Sequence, residues 1–317
     1  MSVGEINTVA VIGAGTMGVG IAHSFAEAGI SVRMIDINTQ VLERSLARVD
    51  ANLRLFEEFS LLKEDPSVIL ARIELISSDN MTEEATGCDF IVESVPEVLD
   101  IKKKVFAYLD PLAPEVIIAS NTSSFTMDIL TEKMKTPQRM VGLHYFNPAH
   151  IIPAVEIHTG KDTAGDVVER TRVLMIKTGK KPVIVQKTVP GFIINRLTGA
   201  MEREIDFLID EGIVTPEDLD VAVKASYGFR LACLGPMAAE DMIGLDTSAR
   251  VSGNVFKVLS NKTEPSPILL AKVEKGELGI KSGKGWYDYS GQTQEEATDK
   301  INRRLLKQLA LFRSVEN

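Results

Sequence analysis

"TVAVIGAGTMGVGIAHSFAEAGISVRMID", residues 8–36, decides the fold of this 317-residue chain. It opens on a β-rich run, 8–13, and passes directly into a glycine-rich turn. Gly13, Gly15 and Gly18 hold the G-x-G-x-x-G spacing. A helical pattern follows from about Met17 to Ala28, and Gly29 is a natural stop. A second strand run, 31–36, ends on Asp36, 21 residues after Gly15. Glycine spacing alone is a weak signal. Strand, turn, helix, strand and terminal acid in this order are the fingerprint of a dinucleotide site. Gly13 permits the tight turn, Gly15 lets backbone approach a pyrophosphate, and Gly18 lets the helix lie close on the strand. The first N–H groups of the helix and its positive dipole end then face the phosphates. Thr16 and Met17, which open the helix, are further contact candidates. Asp36 is expected to accept from ribose hydroxyls and to repel a 2′-phosphate, which favours NAD over NADP.

Working outward, strand runs recur at 72–77, 89–94, 116–120, 139–146, 154–158 and 181–186. Asn38 reads as the N-cap of a long helix toward Leu62, and another helix is expected at about 164–179. Strands alternating with helices predict a Rossmann-type, doubly wound α/β fold with a mainly parallel sheet. The pattern changes at "KTVPGFIINRL" (187–197). Beyond it, amphipathic helices dominate, at about 192–211, 215–227, 237–259, 266–275 and 293–313. Thr215-Pro216-Glu217 is a helix start. The expected division is an NAD-binding domain over 1–187 and an all-helical substrate and dimerisation domain over 188–317.

Composition narrows the function. Hydrophobic residues make up 44% and charged residues 25%, as in ordinary soluble domains. A net charge of −9 argues against a nucleic-acid binder, which needs a basic face to displace counterions. No run of about 18 apolar residues predicts a membrane span. The start, "MSVGEINTVAVIGAG", lacks the basic opening and apolar core of a signal peptide. Cys88 and Cys233 lie far apart, without metal-ligand spacing, so neither a disulfide nor a metal site is expected, and a reducing cytoplasm is the default.

The chemistry is carried by "GLHYFNPAHIIPAVEI" (142–157). His144 falls near the carboxyl end of a strand, where open α/β sheets bind ligands. Glu156, 12 residues on, lies in the next strand, and a short connection would bring it beside His144. "SNTSS" (120–124) ends another strand and offers Asn121 and Ser123 as hydrogen bonders. These stretches, with "VPGFIINRL" (189–197), "GPMAAEDMIGLD" (235–246) and "GKGWYDY" (283–289), resemble the 3-hydroxyacyl-CoA dehydrogenase family in order along nearly the whole chain.

The resemblance implies residue roles. His144 would be the general base that takes the substrate hydroxyl proton, and Glu156 would orient its imidazole. Ser123 would bond the reacting oxygen, Asn195 would help to polarise it or hold the substrate, and Asn147 would anchor the loop or a substrate carbonyl. Glu97 and Lys102, in "VPEVLDIKKKVF" (95–106), match positions near the nicotinamide ribose. Asn121 would lie by the nicotinamide, and Glu93, late in the strand run 89–94, joins the cofactor set. Against these stand plainer readings: Asn195 and Asn147 as backbone caps, Lys102 as solvated helix, His23, His150 and His158 as structural or surface residues. The implied reaction is NAD-dependent oxidation of a 3-hydroxyacyl-CoA, such as 3-hydroxybutyryl-CoA, in a homodimer.

Two places depart from the pattern. CoA-using members carry a basic stretch late in the long helix, where this chain has Glu57 and Glu58, with only Arg54 and Lys63 nearby. Acidic groups there disfavour an anionic cofactor tail. Tyr227, Phe229 and Arg230 precede "GP", and an arginine there suits a substrate carboxylate, its alternative being a surface arginine. The same chemistry on a CoA-free hydroxy acid or carboxylate-bearing ring alcohol is therefore the second expectation, and a catalytically inactive NAD-binding protein the third.

Overall fold

The computed structural model describes residues 5–316. Eight strands form one sheet: β1 Thr8–Ile12, β2 Ser31–Asp36, β3 Ile73–Ser77, β4 Phe90–Glu93, β5 Ile117–Ser120, β6 Met140–Tyr145, β7 Ala154–His158 and β8 Lys181–Ile184. Their order is β3-β2-β1-β4-β5-β6-β7-β8. Neighbours run parallel except β6 and β7, which are antiparallel. The central strands are buried on both faces, which is why they read as unbroken apolar runs.

Side chains alternate strictly between two cores. On β1, Val9 and Val11 enter one apolar cluster with the helices α1 (Thr16–Glu27) and α2 (Thr39–Glu58). Ala10 and Ile12 enter the other, with the helix Leu99–Leu109. The same alternation on β6 sends Val141, Leu143 and Tyr145 to the α1 side. Gly142 and His144 therefore face the opposite side, as do Glu156 and His158 across the ladder.

Local signals act as expected at several ends. Asn38 caps α2 by accepting from Val41 N at 3.2 Å. Thr215 caps the helix Pro216–Ala225 through Asp218 N. Two helices differ from the sequence reading. α2 stops at Glu58 rather than near Leu62, because Ser60 turns into the left-handed region at φ 55°. The helix expected over 237–259 is two, Pro236–Ile243 and Leu245–Val255, broken at Gly244, whose φ of 100° suits only glycine.

The described residues form two compact units, one of residues 5–193 with 303–315 and one of 194–302. The second is helical, from Ile194–Asp210 onward, and holds itself together with polar ties. Glu204 accepts from Ser260 N at 2.7 Å, and Asp210 from the Ser266 hydroxyl at 2.6 Å. The C-terminal helix, Gln294–Glu316, begins there, yet residues 303–315 belong to the sheet-bearing unit rather than to the helical domain expected over 188–317. The reason is an apolar seam: Leu306 and Leu309 are buried with Leu55, Phe56 and Ile151. Around it, Arg303 pairs with Glu58 at 2.6 Å and Arg313 with Glu27 at 3.5 Å.

This seam sets a test. Leu306→Ala should cost about 2–4 kcal/mol, as a buried leucine truncation does, and lower the melting temperature by roughly 5–12 °C. Arg303→Ala removes an exposed pair and should change stability by at most about 1 kcal/mol. Calorimetry on both variants checks the contrast. Equal effects would mean that charge, not the apolar seam, holds the helix.

Candidate functional site

The carboxyl ends of β1, β4, β5 and β6 meet at one edge of the sheet, and hydrogen bonds stitch them together there. Gly13 N donates to Ile35 O at 2.8 Å and Ser94 N to Ile12 O at 2.7 Å. Asn121 N donates to Glu93 O at 2.8 Å. The Asn121 side chain spans the next gap. Its Nδ2 reaches Ser94 Oγ at 3.3 Å, and its Oδ1 accepts from Tyr145 N at 3.1 Å. Asn121 is thus a girder of the edge, joining the loop beyond β4 to the strand that bears His144.

The glycine loop has the shape that a dinucleotide needs. An added Cβ at Gly13 would stand 2.6 Å from Ser94 O, and one at Gly18 would stand 1.9 Å from Gly13 O. Beneath, the loop is packed to the limit. Above Gly15, a Cβ would meet nothing within 4 Å. The loop is therefore open on one side, where Thr16 and Met17 begin α1 and no side chain caps the helix. Asp36 braces the cradle, accepting from Ala14 N at 2.9 Å and from Asn38 N at 3.0 Å. Each oxygen keeps a lone pair for a ribose hydroxyl. Gly13, Gly15, Thr16, Met17, Gly18 and Asp36 are the residues that would hold NAD here.

Beside the cradle lies a charge cluster that the sequence only half revealed. Glu93 and Lys102 are both fully buried and paired at 2.8 Å. Glu93 also accepts from Ser120 Oγ at 2.6 Å and Val95 N at 2.8 Å. Burial pushes its carboxyl above the ordinary range, while Lys102 and these donors oppose that. Lys102 is neither a solvated helix residue nor open to a ligand. Its ammonium also meets Glu97 at 3.1 Å and holds that carboxylate in place. Glu97 Oε1 in turn gathers the Thr122 hydroxyl at 2.6 Å, the backbone N–H groups of Ser123 and Ser124 at 3.0 Å each, and the Ser124 hydroxyl at 2.7 Å. Burial raises its pKa, but Thr122, Ser124 and Lys102 outweigh that and carry it down to about 2. The 122–124 loop, with Ser123 exposed at its tip, is thereby pinned. Thr122, Ser94 and Ser120 were missed from the sequence, where nothing distinguishes them from ordinary strand-end hydroxyls.

His144 and Glu156 stand directly opposite in the antiparallel ladder. His144 Nδ1 lies 2.8 Å from Glu156 Oε2, and their side chains are only 7% and 1% exposed. A carboxylate can only accept there, so Nδ1 is the donor, and a neutral ring in this orientation carries its lone pair on Nε2. Glu156 Oε1 accepts from Ile193 N at 3.0 Å. Asn147 follows in the connection, exposed and joined to Pro148 by a cis peptide. That connection is tied from below, where the buried Lys180 amine donates to Ala149 O and Ile152 O, the second at 2.9 Å. His23, His150 and His158 are all buried, so none is a surface residue.

Asn195 and Arg230 lie in the helical unit. Asn195 is exposed in the first turn of Ile194–Asp210, and Arg230 is exposed in the short helix Tyr227–Leu231. Glu57 and Glu58 face solvent at the end of α2. Among the described residues no group of three metal-ligating side chains converges, and no helix is long and apolar enough to cross a membrane.

Comparison with known proteins identifies the family. Residues 8–189 match the NAD-binding domain of 3-hydroxyacyl-CoA dehydrogenase, and residues 191–289 its C-terminal domain. The 5-formyl-3-hydroxy-2-methylpyridine 4-carboxylate 5-dehydrogenase of Mesorhizobium japonicum is 35% identical over 302 residues, covering 95% of this chain and 96% of its own. A probable 3-hydroxybutyryl-CoA dehydrogenase of Bacillus subtilis is 35% identical over 91% of this chain and 99% of its own. Among solved structures, that of a 5-formyl-3-hydroxy-2-methylpyridine 4-carboxylic acid 5-dehydrogenase, an NAD+-dependent dismutase, superposes with a TM-score of 0.89 at 34% identity, over 98% of this chain and 99% of that one. The (S)-3-hydroxybutyryl-CoA dehydrogenase of Ralstonia eutropha gives 0.70 at 34% identity, over 90% of this chain and 99% of that one. With both halves matched in order and relatives of like length, the chain belongs to the 3-hydroxyacyl-CoA dehydrogenase family of NAD-dependent dehydrogenases.

Proposed function

We propose that the protein oxidises the CH–OH group of a small, CoA-free substrate bearing a carboxylate. The observation that carries this is the fit to the pyridine-carboxylate dehydrogenase, a TM-score of 0.89 against 0.70 for the Ralstonia eutropha enzyme at the same identity, which extends over the stretch beyond residue 289 where the family model stops. That stretch is the helix whose Arg303 occupies Glu58 at the end of α2. CoA-using members of the family carry basic residues there, whereas in this chain Glu57 is exposed and Arg303 is engaged by Glu58, which leaves no surplus of positive charge for an anionic tail. The match to both family models favours a second reading, a 3-hydroxyacyl-CoA such as 3-hydroxybutyryl-CoA. Intact Ser123, His144, Glu156 and Asn195 speak against an inactive NAD-binding protein.

NAD+ supplies the hydride acceptor when bound. In this reading Nε2 of His144 takes the hydroxyl proton as the carbon–hydrogen pair departs and the carbonyl forms. Glu156 keeps the imidazole in the Nδ1–H tautomer and offsets the positive charge it acquires. Ser123, set by Glu97, bonds the reacting oxygen, and Asn195 and Asn147 assist in orienting the substrate. Arg230 is assigned to the substrate carboxylate as a two-pronged partner. Exposed apolar side chains of the helical unit, Leu197 at 60%, Phe229 at 75% and Phe256 at 71%, support a homodimer.

A panel assay of NADH formation decides between the substrates. It pairs NAD+ with free hydroxy acids, hydroxymethyl- and formylpyridine carboxylates and 3-hydroxybutyryl-CoA. A free carboxylate is expected to give the highest kcat/KM; a higher value for the thioester overturns the proposal. His144→Gln should lower kcat by about 10²–10⁴-fold, the usual worth of a general base, with NAD+ affinity unchanged. Arg230→Ala should raise KM for carboxylate substrates and leave that for neutral alcohols as it was; an unchanged KM removes Arg230 from the site.

A further inference from the structure

The segment just before the helical unit does more than connect. Gly191 and Phe192 both turn into the left-handed region, at φ 78° and 49°. Glycine accepts that conformation, but for a bulky residue such as phenylalanine it is strained. The turn aims Ile193 N at Glu156 Oε1, the oxygen not engaged by His144. A buried carboxylate needs donors on both oxygens to hold one orientation.

The Phe192 ring secures the strained turn. It is 1% exposed and stacks on the His158 ring, with centroids 4.0 Å apart and planes 26° from parallel. It also lies 5.6 Å from the His144 ring, tilted by 58°. His158 fits there only because its ladder partner is Gly142, where an added Cβ would fall 2.0 Å from the imidazole. Burial first, and then the neighbouring His144, hold His158 down at about 4, so it is a neutral support at physiological pH and places no second cation beside the base.

We propose that Phe192 is a positioning residue for the proton-transfer pair: its strained turn presents the Ile193 amide to Glu156, and its ring, backed by His158, fixes the imidazole plane of His144. This rests on the reading of His144 and Glu156 as base and orienting carboxylate. It adds that the pair is completed from outside its own two strands, by the last residues of the sheet-bearing unit.

Two substitutions separate this role from simple filling of space. Phe192→Gly loses the ring but keeps the left-handed turn and the amide donor. Phe192→Val fills more space but resists positive φ. The proposal predicts that Val is the worse. Its kcat should fall by roughly 10- to 100-fold, as displacement of a reacting group by an ångström does. KM and the NAD+ dissociation constant, read by NADH fluorescence, should stay within about twofold of wild type, while Phe192→Gly falls less. A cavity effect predicts the reverse order, so Gly worse than Val overturns the proposal, as does kcat within twofold for both or loss of NAD+ binding in both. A second readout needs no substrate. The chain has four histidines, so [15N]histidine spectra assign each ring by single His→Gln variants. The share of His144 protonated on Nδ1 should fall in the order wild type, Gly, Val, and an unchanged tautomer in Val overturns the proposal. If His144→Gln retains activity, the base assignment fails, while the tautomer series still decides the role of Phe192.

Discussion

The reversal of direction between β6 and β7 is the constraint on which the site depends. In a parallel pair, a neighbour to His144 would arrive only after a crossover of a dozen or more residues, and its register would be set by a helix. The antiparallel pair needs only the connection 146–153. It sets His144 against Glu156 as direct ladder partners, so the 2.8 Å contact follows from backbone pairing. Everything else at the edge works on that fixed point. Asn121 ties β5 to Tyr145, one residue beyond the imidazole, and Lys180 holds the carbonyls of the connection itself.

The carboxylates of the edge show how environment assigns different tasks to one functional group. Glu97 collects four donors and Lys102, and is held deep in its charged state. Its work is to organise a loop. Glu93 is its buried counterpart, sharing Lys102 and bracing the strand ends. Glu156 faces a histidine through one oxygen, and its other oxygen is fixed independently, by the Ile193 amide. Asp36, at the far side of β1, spends one lone pair of each oxygen on the glycine loop and its exit.

Much of this was legible in the sequence because it obeys short-range rules. Short β-rich apolar runs marked all eight strands, a period of 3.6 residues marked the major helices, and the glycine spacing marked the cradle. The pairing of His144 with Glu156 was legible because the two strands are consecutive. What escaped depends on contacts far apart in the chain. The resemblance singled out Lys102, but the solvated look of "KKK" hid its burial, since only the fold shows that one of three lysines turns inward to meet Glu93. Phe192 gave no sign, because a left-handed phenylalanine is specified by Gly142 and His158, 50 and 34 residues earlier. The return of residues 303–315 to the sheet-bearing unit escaped for the same reason. Their apolar face was plain, but its partners, Leu55, Phe56 and Ile151, lie some 150 to 250 residues away.

That return has a topological consequence. The helical unit, 194–302, leaves the sheet-bearing unit at one residue and rejoins it at another, so in covalent terms it is an insertion, not an appendage. A segment held at both ends closes a loop in the chain, and the entropic cost of closing it grows only slowly with its length, by about 0.6 kcal/mol per doubling. The same double tether means that a break in either connector leaves the unit still attached by the other. Both anchors, residue 193 and residue 303, lie in the sheet-bearing unit, so the helical unit is a long excursion within a chain that starts and finishes on one core.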